Sequence, residues 1–146
     1  MDYVLKCYMI IFEKRNFWMV SKVTEGVKIS VEQFYQPEYS NPVLSEFMFA
    51  YRITIENNNS FPVQLLKRHW WIADSNADKR EVEGDGVIGV QPIIAPGETY
   101  QYISGSNLKS EMGVMSGTYT MENLVSKKRF EVNIPAFQME APFKRN

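Results

Sequence analysis

Three glycines with the spacing Gly84-x-Gly86-x-x-Gly89 are the residues of this sequence that most directly suggest a ligand. The same spacing opens the phosphate-binding turn of dinucleotide-binding folds, where a helix follows and its N-terminal amides bind pyrophosphate. Here Pro92 and Pro96 interrupt any helix after the glycines. A dinucleotide-binding fold is therefore excluded. Two interpretations remain: a backbone nest that binds an anion through successive amides, or turn glycines that allow a positive φ.

Acidic residues alternate just before and within this motif, at Glu81, Glu83 and Asp85. Alternate side chains of an extended strand share a face, so these carboxylates are expected to form a row. Oxygen ligands suit hard cations, which makes a weak Mg²⁺ or Co²⁺ site one interpretation and a solvated strand face the other. The basic residues Lys67 and Arg68 are candidate contacts for a phosphate group.

The residues needed for most catalytic or zinc chemistry are scarce. The chain has one histidine, His69, and one cysteine, Cys7, which cannot form a tetrahedral zinc site within one chain. No nucleophile, base and acid are placed together by the sequence. We therefore predict no enzymatic activity, and we expect His69 to be a packed or hydrogen-bonded surface residue.

Two further segments resemble binding sites but fit hairpin turns better. Asp74, Asn76 and Asp78 occupy alternate positions, as at the start of a calcium-binding loop. Lys79 stands where such a loop requires a glycine, and predicted strands flank the segment. The basic segment SKKR at 126–129 also lies between two predicted strands. We predict hairpin turns at both places.

Strands must position all of these residues, because apolar side chains recur with a period of two from Val27 onward. Segments rich in Asn, Asp, Ser and Pro separate the strands and favour turns. Sheets with one apolar face must bury that face, so we predict an all-β, antiparallel β-sandwich of about seven strands. The predicted strands are 27–34, 47–56, 63–74, 79–83, 99–105, 117–125 and 129–134.

The composition limits the classes of partner. A chain of 146 residues with 45% hydrophobic residues can form one domain with its own core. Its net charge of −1 gives no overall attraction to nucleic acid, and no stretch approaches the length that spans a bilayer. The lack of any internal disulfide suits a reducing compartment. We predict a cytoplasmic protein, monomer or homodimer, that binds no nucleic acid and does not insert into membranes.

Four segments, taken in order, resemble the ApaG family: RHWWIAD (68–74), EGDGVIGVQPIIAPGETYQYISG (83–105), GVMSGTYTM (113–121) and FEVNIPAF (130–137). The resemblance runs from about Val27 to Phe137. It implies a β-sandwich of the fibronectin type III or immunoglobulin-like kind, which agrees with the periodicity. We expect an ApaG domain at 19–146. Residues 1–18 would be an N-terminal extension, either upstream of a native start at Met19 or an added strand or amphipathic segment.

The resemblance also implies a function. It implies a non-enzymatic binding module associated with divalent-cation homeostasis, through cobalt resistance and magnesium efflux. The family is similar to modules in a eukaryotic polymerase-delta-interacting protein and an F-box protein, which implies an unknown protein partner. A general protein–protein interaction domain is therefore an alternative, with Tyr35, Tyr39 and Trp71 as candidate contacts.

A second alternative follows from the glycine motif. By resemblance, Gly84, Gly86 and Gly89 would bind a pyrophosphate-containing nucleotide or another polyphosphate. Val90 departs from the family pattern, because a polar residue, often Glu, is expected there. That departure weakens any role for side chains of this loop in metal or phosphate binding.

Overall fold

The structure is a computed structural model that describes residues 19–145, with side chains up to Phe143. The part of the chain it describes forms nine strands and three short 3₁₀ turns. The strands are β1 (Met19–Thr24), β2 (Val27–Tyr35), β3 (Phe47–Asn57), β4 (Val63–Asp74), β5 (Lys79–Asp85), β6 (Ile93–Ile94), β7 (Thr99–Leu108), β8 (Met112–Asn123) and β9 (Arg129–Glu140).

The strands form two antiparallel sheets that face each other. One sheet has the order β1-β2-β3-β7, and the other has the order β5-β4-β8-β9, with β6 paired to β4. The predicted antiparallel β-sandwich is confirmed. The described residues contain nine strands instead of about seven, because β1 and β6 were not predicted. Most of β1 is exposed and β6 has only two residues, so neither shows a clear alternation of apolar residues.

The core lies between the sheets, where alternate residues of each strand meet. On β3, the alternation predicts a buried face that includes Phe49 and Ile53, and both are fully buried. On β4, strict alternation with the buried Trp70 and Ile72 would place Leu66 on the same buried face, but it does not lie there. The pairing of β4 with β8 shifts between Leu65 and Lys67, so a β-bulge buries Leu65 completely and leaves Leu66 half-buried.

The two long sides of the sandwich differ. On one side β1 and β2 pack alongside β9, and the amide of Asn133 donates to Thr24 Oγ1 at 3.2 Å. On the other side, the edge strands are β5 of one sheet and β7 of the other. There the Arg80 side chain reaches from β5 to the backbone of β7. This side is therefore closed by side chains and leaves room for a cleft.

The N-terminal extension predicted at residues 1–18, which includes Cys7, lies outside the described residues. Within residues 19–145, no helix has the length and apolar character required to cross a bilayer.

Candidate functional site

A cleft of about 480 Å³ opens between the edge strands β5 and β7. We call it the arginine cleft, because Arg68 of β4 and Arg80 of β5 both line it. Its floor includes Tyr51 and Tyr102, and its rim includes Ser104. The strand period explains the placement: Arg68 points between the sheets, as the buried Trp70 does, two residues further along β4.

Arg68 is held by the glycine-rich segment. Its Nη1 donates to the carbonyl oxygens of Asp85 and Gly86, at 2.9 Å each. Across the ladder, Arg68 pairs with Gly84, and a Cβ at that position would lie 2.8 Å from both Nη atoms. Since that distance is shorter than any van der Waals contact, the guanidinium occupies the space that the missing side chain leaves.

Arg80 is held by the opposite sheet. Its Nη2 donates to Ser106 Oγ at 2.7 Å and to the carbonyl oxygen of Asn107, and its Nη1 donates to Asn107 Oδ1 at 3.3 Å. These bonds connect the two edge strands. Because the acceptors are neutral, they orient the guanidinium without neutralising its charge.

Neither arginine has an acidic partner among the described residues. Other arginines do, since Arg52 lies 2.6 Å from Glu32 and Arg129 lies 3.6 Å from Glu122. Five N–H groups are available on each guanidinium, and Nε and Nη2 of Arg68 have no acceptor within the described part of the chain. The arginine cleft thus carries two uncompensated positive charges, with donors still free.

The phenols at the floor of the cleft respond to these charges. Burial raises the pKa of Tyr51 above its ordinary value, while a hydrogen bond with Ser104 and the charges of Arg68 and Arg80 act to lower it. Both guanidinium charges therefore act on the same phenol. Burial also raises the pKa of Tyr102, whose hydroxyl is hydrogen-bonded to that of Tyr119. The tyrosines stay neutral near pH 7, so the cleft holds no anion of its own.

The glycine motif forms a tight turn beside the cleft. The amide of Gly86 donates to Leu66 O at 2.8 Å, and the amides of Val87 and Val90 each donate to the carbonyl oxygen of the other residue. The two residues between them, Ile88 and Gly89, have φ of 47° and 74°, the combination expected of a type I′ turn. Three amides of the loop are therefore already satisfied by backbone oxygens.

The acidic row lies on the outer face of β5, away from the arginine cleft. Glu83 Oε1 lies 3.0 Å from His69 Nδ1, and Glu81 Oε1 lies 3.7 Å from His69 Nε2. Since the two carboxylates face opposite nitrogens of the ring, they do not converge on one point. Nowhere in residues 19–145 do three or more His, Cys, Asp or Glu side chains form a group that could hold a metal ion.

The prediction for His69 is confirmed. Its ring stacks on Trp71 with centroids 3.9 Å apart, on the outer face of β4. Trp71 Nε1 donates to Glu81 Oε1 at 2.6 Å, which completes a surface cluster. Of the predicted basic pair, only Arg68 lines the arginine cleft, because consecutive residues of a strand point to opposite faces. Lys67 and Arg68 both border a second pocket, together with Asp85.

The two predicted hairpin turns are confirmed. β4 and β5 are antiparallel neighbours joined at 75–78, and the side chain of Asp74 accepts bonds from the amide of Lys109 and the hydroxyl of Ser110. Residues 126–128 of the basic segment lie in the connection from β8 to β9, where Lys127 has a φ of 64°, and Arg129 begins β9.

The candidate aromatic contacts divide into packed and exposed residues. Tyr35 is half-buried, with its ring 5.4 Å from that of Phe49 and 5.9 Å from that of Phe143. Tyr39 is half-buried at the end of a 3₁₀ turn. Trp71 is 39% exposed, so it is the most accessible of the three.

Sequence reasoning missed Arg80 and the tyrosines of the cleft. The strand predicted at 79–83 places Arg80 on the face opposite Glu81 and Glu83, but the pattern does not show which face lines a cleft. Nothing in the sequence distinguishes Tyr51 and Tyr102 from ordinary core residues, because both lie on the apolar face of a predicted strand.

Comparison with known proteins shows which family this chain belongs to. A model of the ApaG domain matches residues 37–123, a range that includes both arginines and the glycine motif. Protein ApaG of Brucella canis is 44% identical over 127 residues, which cover 87% of this chain and 97% of that protein. Protein ApaG of Paramagnetospirillum magneticum is 41% identical over the same length. The chain belongs to the ApaG family.

Solved structures match the fold of this chain. The crystal structure of an ApaA protein from Bordetella pertussis matches with a TM-score of 0.77 and 41% identity, covering 80% of this chain and 94% of that one. The C-terminal domain of wzt matches with a TM-score of 0.50 at 6% identity, a likeness of fold alone. The resemblance to ApaG drawn from the sequence is confirmed.

Proposed function

We propose that this ApaG-family chain is a non-enzymatic binding module that takes a phosphate-bearing anion in the arginine cleft. The observation that carries the proposal is the pair of guanidinium groups, Arg68 and Arg80, which line one cleft and have no carboxylate partner among the described residues. A guanidinium donates two parallel hydrogen bonds to a phosphate, which gives both affinity and orientation.

The spacing of the arginines favours an extended ligand. Arg68 pairs with Gly84 and Arg80 pairs with Ile72, so the two are four positions apart along the ladder of β4 and β5. At roughly 3.3 Å per residue, their backbones are offset by about 13 Å. Their side chains are also anchored toward opposite ends of β5. A chain of linked phosphates reaches both guanidinium groups better than orthophosphate does.

The placement of the histidine supports binding over catalysis. His69 is the single histidine of the chain, and it lies on the outer face of β4, with Glu81 and Glu83 at its nitrogens. The arginine cleft therefore has no imidazole to act as a general base. The phenols at its floor are held neutral by burial, so they act as hydrogen-bond donors.

A titration of the purified chain with tripolyphosphate, followed by calorimetry, tests the proposal. We expect Arg68→Ala and Arg80→Ala each to weaken binding about tenfold or more, since each removes charge-assisted hydrogen bonds. Arg129→Ala removes an arginine that is paired with Glu122, so this matched control should bind as the wild type does. Equal affinity in all four proteins, or no heat of binding in the wild type, contradicts the proposal.

The divalent-cation role implied by the family would follow from this binding, since polyphosphates carry bound Mg²⁺ under cellular conditions. In a bacterial strain that lacks its own ApaG protein, we expect the wild-type chain to restore growth in cobalt. The Arg68→Ala and Arg80→Ala variants should fail to do so, while Arg129→Ala should succeed. If the two cleft variants restore growth fully, the divalent-cation role does not depend on the arginine cleft.

A further inference from the structure

This inference rests on the proposed function and concerns how the same site is built. We infer that the segment Gly84–Gly86 acts through its carbonyl oxygens, as a support that positions Arg68, and that the anion binds to the arginine instead of to the amides of the glycine loop.

The hydrogen bonds of the loop give the first argument. An anion nest needs successive amides that point outward together. The amide of Gly86 instead donates to Leu66 O, and the amides of Val87 and Val90 bond within the turn. The carbonyl oxygens of Asp85 and Gly86 face the other way and accept both bonds from Arg68 Nη1.

The loop is fixed at the β-bulge. Leu66 has no paired residue on β8, and its carbonyl oxygen accepts two bonds from the loop side. One comes from the amide of Gly86 at 2.8 Å, and the other comes from Gln91 Nε2 at 3.0 Å. The support for Arg68 is therefore anchored to the strand that carries Arg68.

Gly84 completes the arrangement by its lack of a side chain. A Cβ there would lie 2.8 Å from Arg68 Nη1 and Nη2 and 2.9 Å from Cζ. The atoms it meets are the end of a flexible side chain, so a methyl group displaces the guanidinium and leaves the backbone in place. Gly84 also needs no positive φ, unlike Gly86 and Gly89. Gly84→Ala therefore tests the position of the Arg68 guanidinium without disrupting the fold.

The first experiment is a double-mutant cycle with tripolyphosphate as the probe. We expect Gly84→Ala to keep the wild-type melting temperature within a few degrees and to lose about tenfold or more in affinity. In the Arg68→Ala background, Gly84→Ala should cause no further loss, because it acts through Arg68. Two losses that add, or an unchanged affinity in the single Gly84→Ala variant, overturn the inference.

The second experiment needs no ligand and so separates this inference from the proposed function. Nitrogen NMR of the guanidinium groups reports hindered rotation about the Cζ–Nη bonds of an arginine that is held by two carbonyl oxygens. We expect slow rotation for Arg68 in the wild type and fast rotation in Gly84→Ala, with Arg52 unchanged in both. Fast rotation of Arg68 in the wild type overturns the inference even if tripolyphosphate binds. Slow rotation with no binding supports it while contradicting the proposed function.

Discussion

At the scale of single residues, the interior between the sheets combines apolar packing with three buried phenols. Tyr51, Tyr102 and Tyr119 are each less than 10% exposed, and burial raises the pKa of all three. A buried hydroxyl needs a partner, and the bond between Tyr102 and Tyr119 supplies one across the two sheets. These side chains therefore link the sheets by polar as well as apolar contacts.

The raised pKa values predict a loss of stability in alkali. An unfolded tyrosine loses its proton near its ordinary value of 10.0, while the folded protein keeps it. The unfolded state then binds fewer protons, so the contribution of these tyrosines to the free energy of unfolding is constant below about pH 10 and falls above it. Urea unfolding from about pH 9 to about pH 11 measures this fall. The double variant Tyr102→Phe and Tyr119→Phe should show a shallower fall; an identical slope contradicts the prediction.

A side chain at position 117 is predicted to lower the stability of the protein in a different way, through a steric clash. A Cβ at this position would collide with the carbonyl oxygen of His69 and lie 3.0 Å from Trp70 Cε3. Since the backbone of β4 cannot yield as a side chain does, we expect Gly117→Ala to lower the free energy of unfolding by about 2–4 kcal/mol. Gly97→Asn is the control, because nothing lies within 4 Å of a Cβ there and Asn tolerates its φ of 77°. Chemical denaturation should show a change of about 1 kcal/mol or less for the control.

At the scale of elements, the connection from β3 to β4 depends on one buried amide. Asn57 is fully buried, and its Nδ2 donates to the carbonyl oxygens of Phe61 and Ile94, at 2.8 and 2.9 Å. Its Oδ1 accepts a bond from the amide of Asn59 at 3.0 Å. One side chain therefore fixes the turn after β3 and the position of the two-residue strand β6.

Asn57→Ala should be strongly destabilising for that reason. The change leaves the carbonyl oxygens of Phe61 and Ile94 and the amide of Asn59 without this partner, in surroundings that are partly or fully buried, which costs about 2–4 kcal/mol of unfolding free energy. Asn58→Ala, an exposed neighbour, should change the same quantity by less than about 0.5 kcal/mol. Denaturant midpoints of the two variants give the comparison, and similar midpoints would contradict the assigned role of Asn57.

The elements also show how far the sequence predicts the structure. Uninterrupted alternation, as in β3, predicts both the strand and its buried face. A bulge cannot be read from such a pattern, so alternation with Trp70 and Ile72 places Leu66 on the wrong face. In β5 the residues on both faces are charged or exposed, so alternation does not show that Arg80 faces the cleft. The hydrogen bonds that turn the glycine loop toward Arg68 depend on tertiary contacts, which no local pattern carries.

At the scale of the whole molecule, the two sides of the sandwich are closed by different means. β1 and β2 lie along β9 on one side, while side-chain bonds from Arg80 to Ser106 and Asn107 connect β5 to β7 on the other. No backbone ladder joins the two sheets on either side in the described residues, but only the first side has strands packed closely along each other, so the second side depends on these few bonds.

Loss of the Arg80 hydrogen bonds should therefore destabilise only the side of the sandwich that β5 and β7 form. We expect Arg80→Ala to raise amide hydrogen exchange in β5 and β7 several-fold, with exchange in β1 and β9 unchanged. Hydrogen exchange with mass spectrometry measures each strand in the same sample. Equal increases on both sides would show that Arg80 affects global stability instead of this edge.

The different anchoring of the two arginines has a consequence for the kinetics of association. For the proposed polyphosphate ligand, Arg68 offers N–H groups that have no acceptor in the described residues, whereas three bonds already join the two Nη atoms of Arg80 to Ser106 and Asn107. A bidentate bond to the ligand through those two atoms would replace some of these bonds, so we expect capture to be a rapid bimolecular event whose rate grows with ligand concentration. A slower unimolecular rearrangement follows, with a rate that reaches a plateau and that disappears in Arg80→Ala.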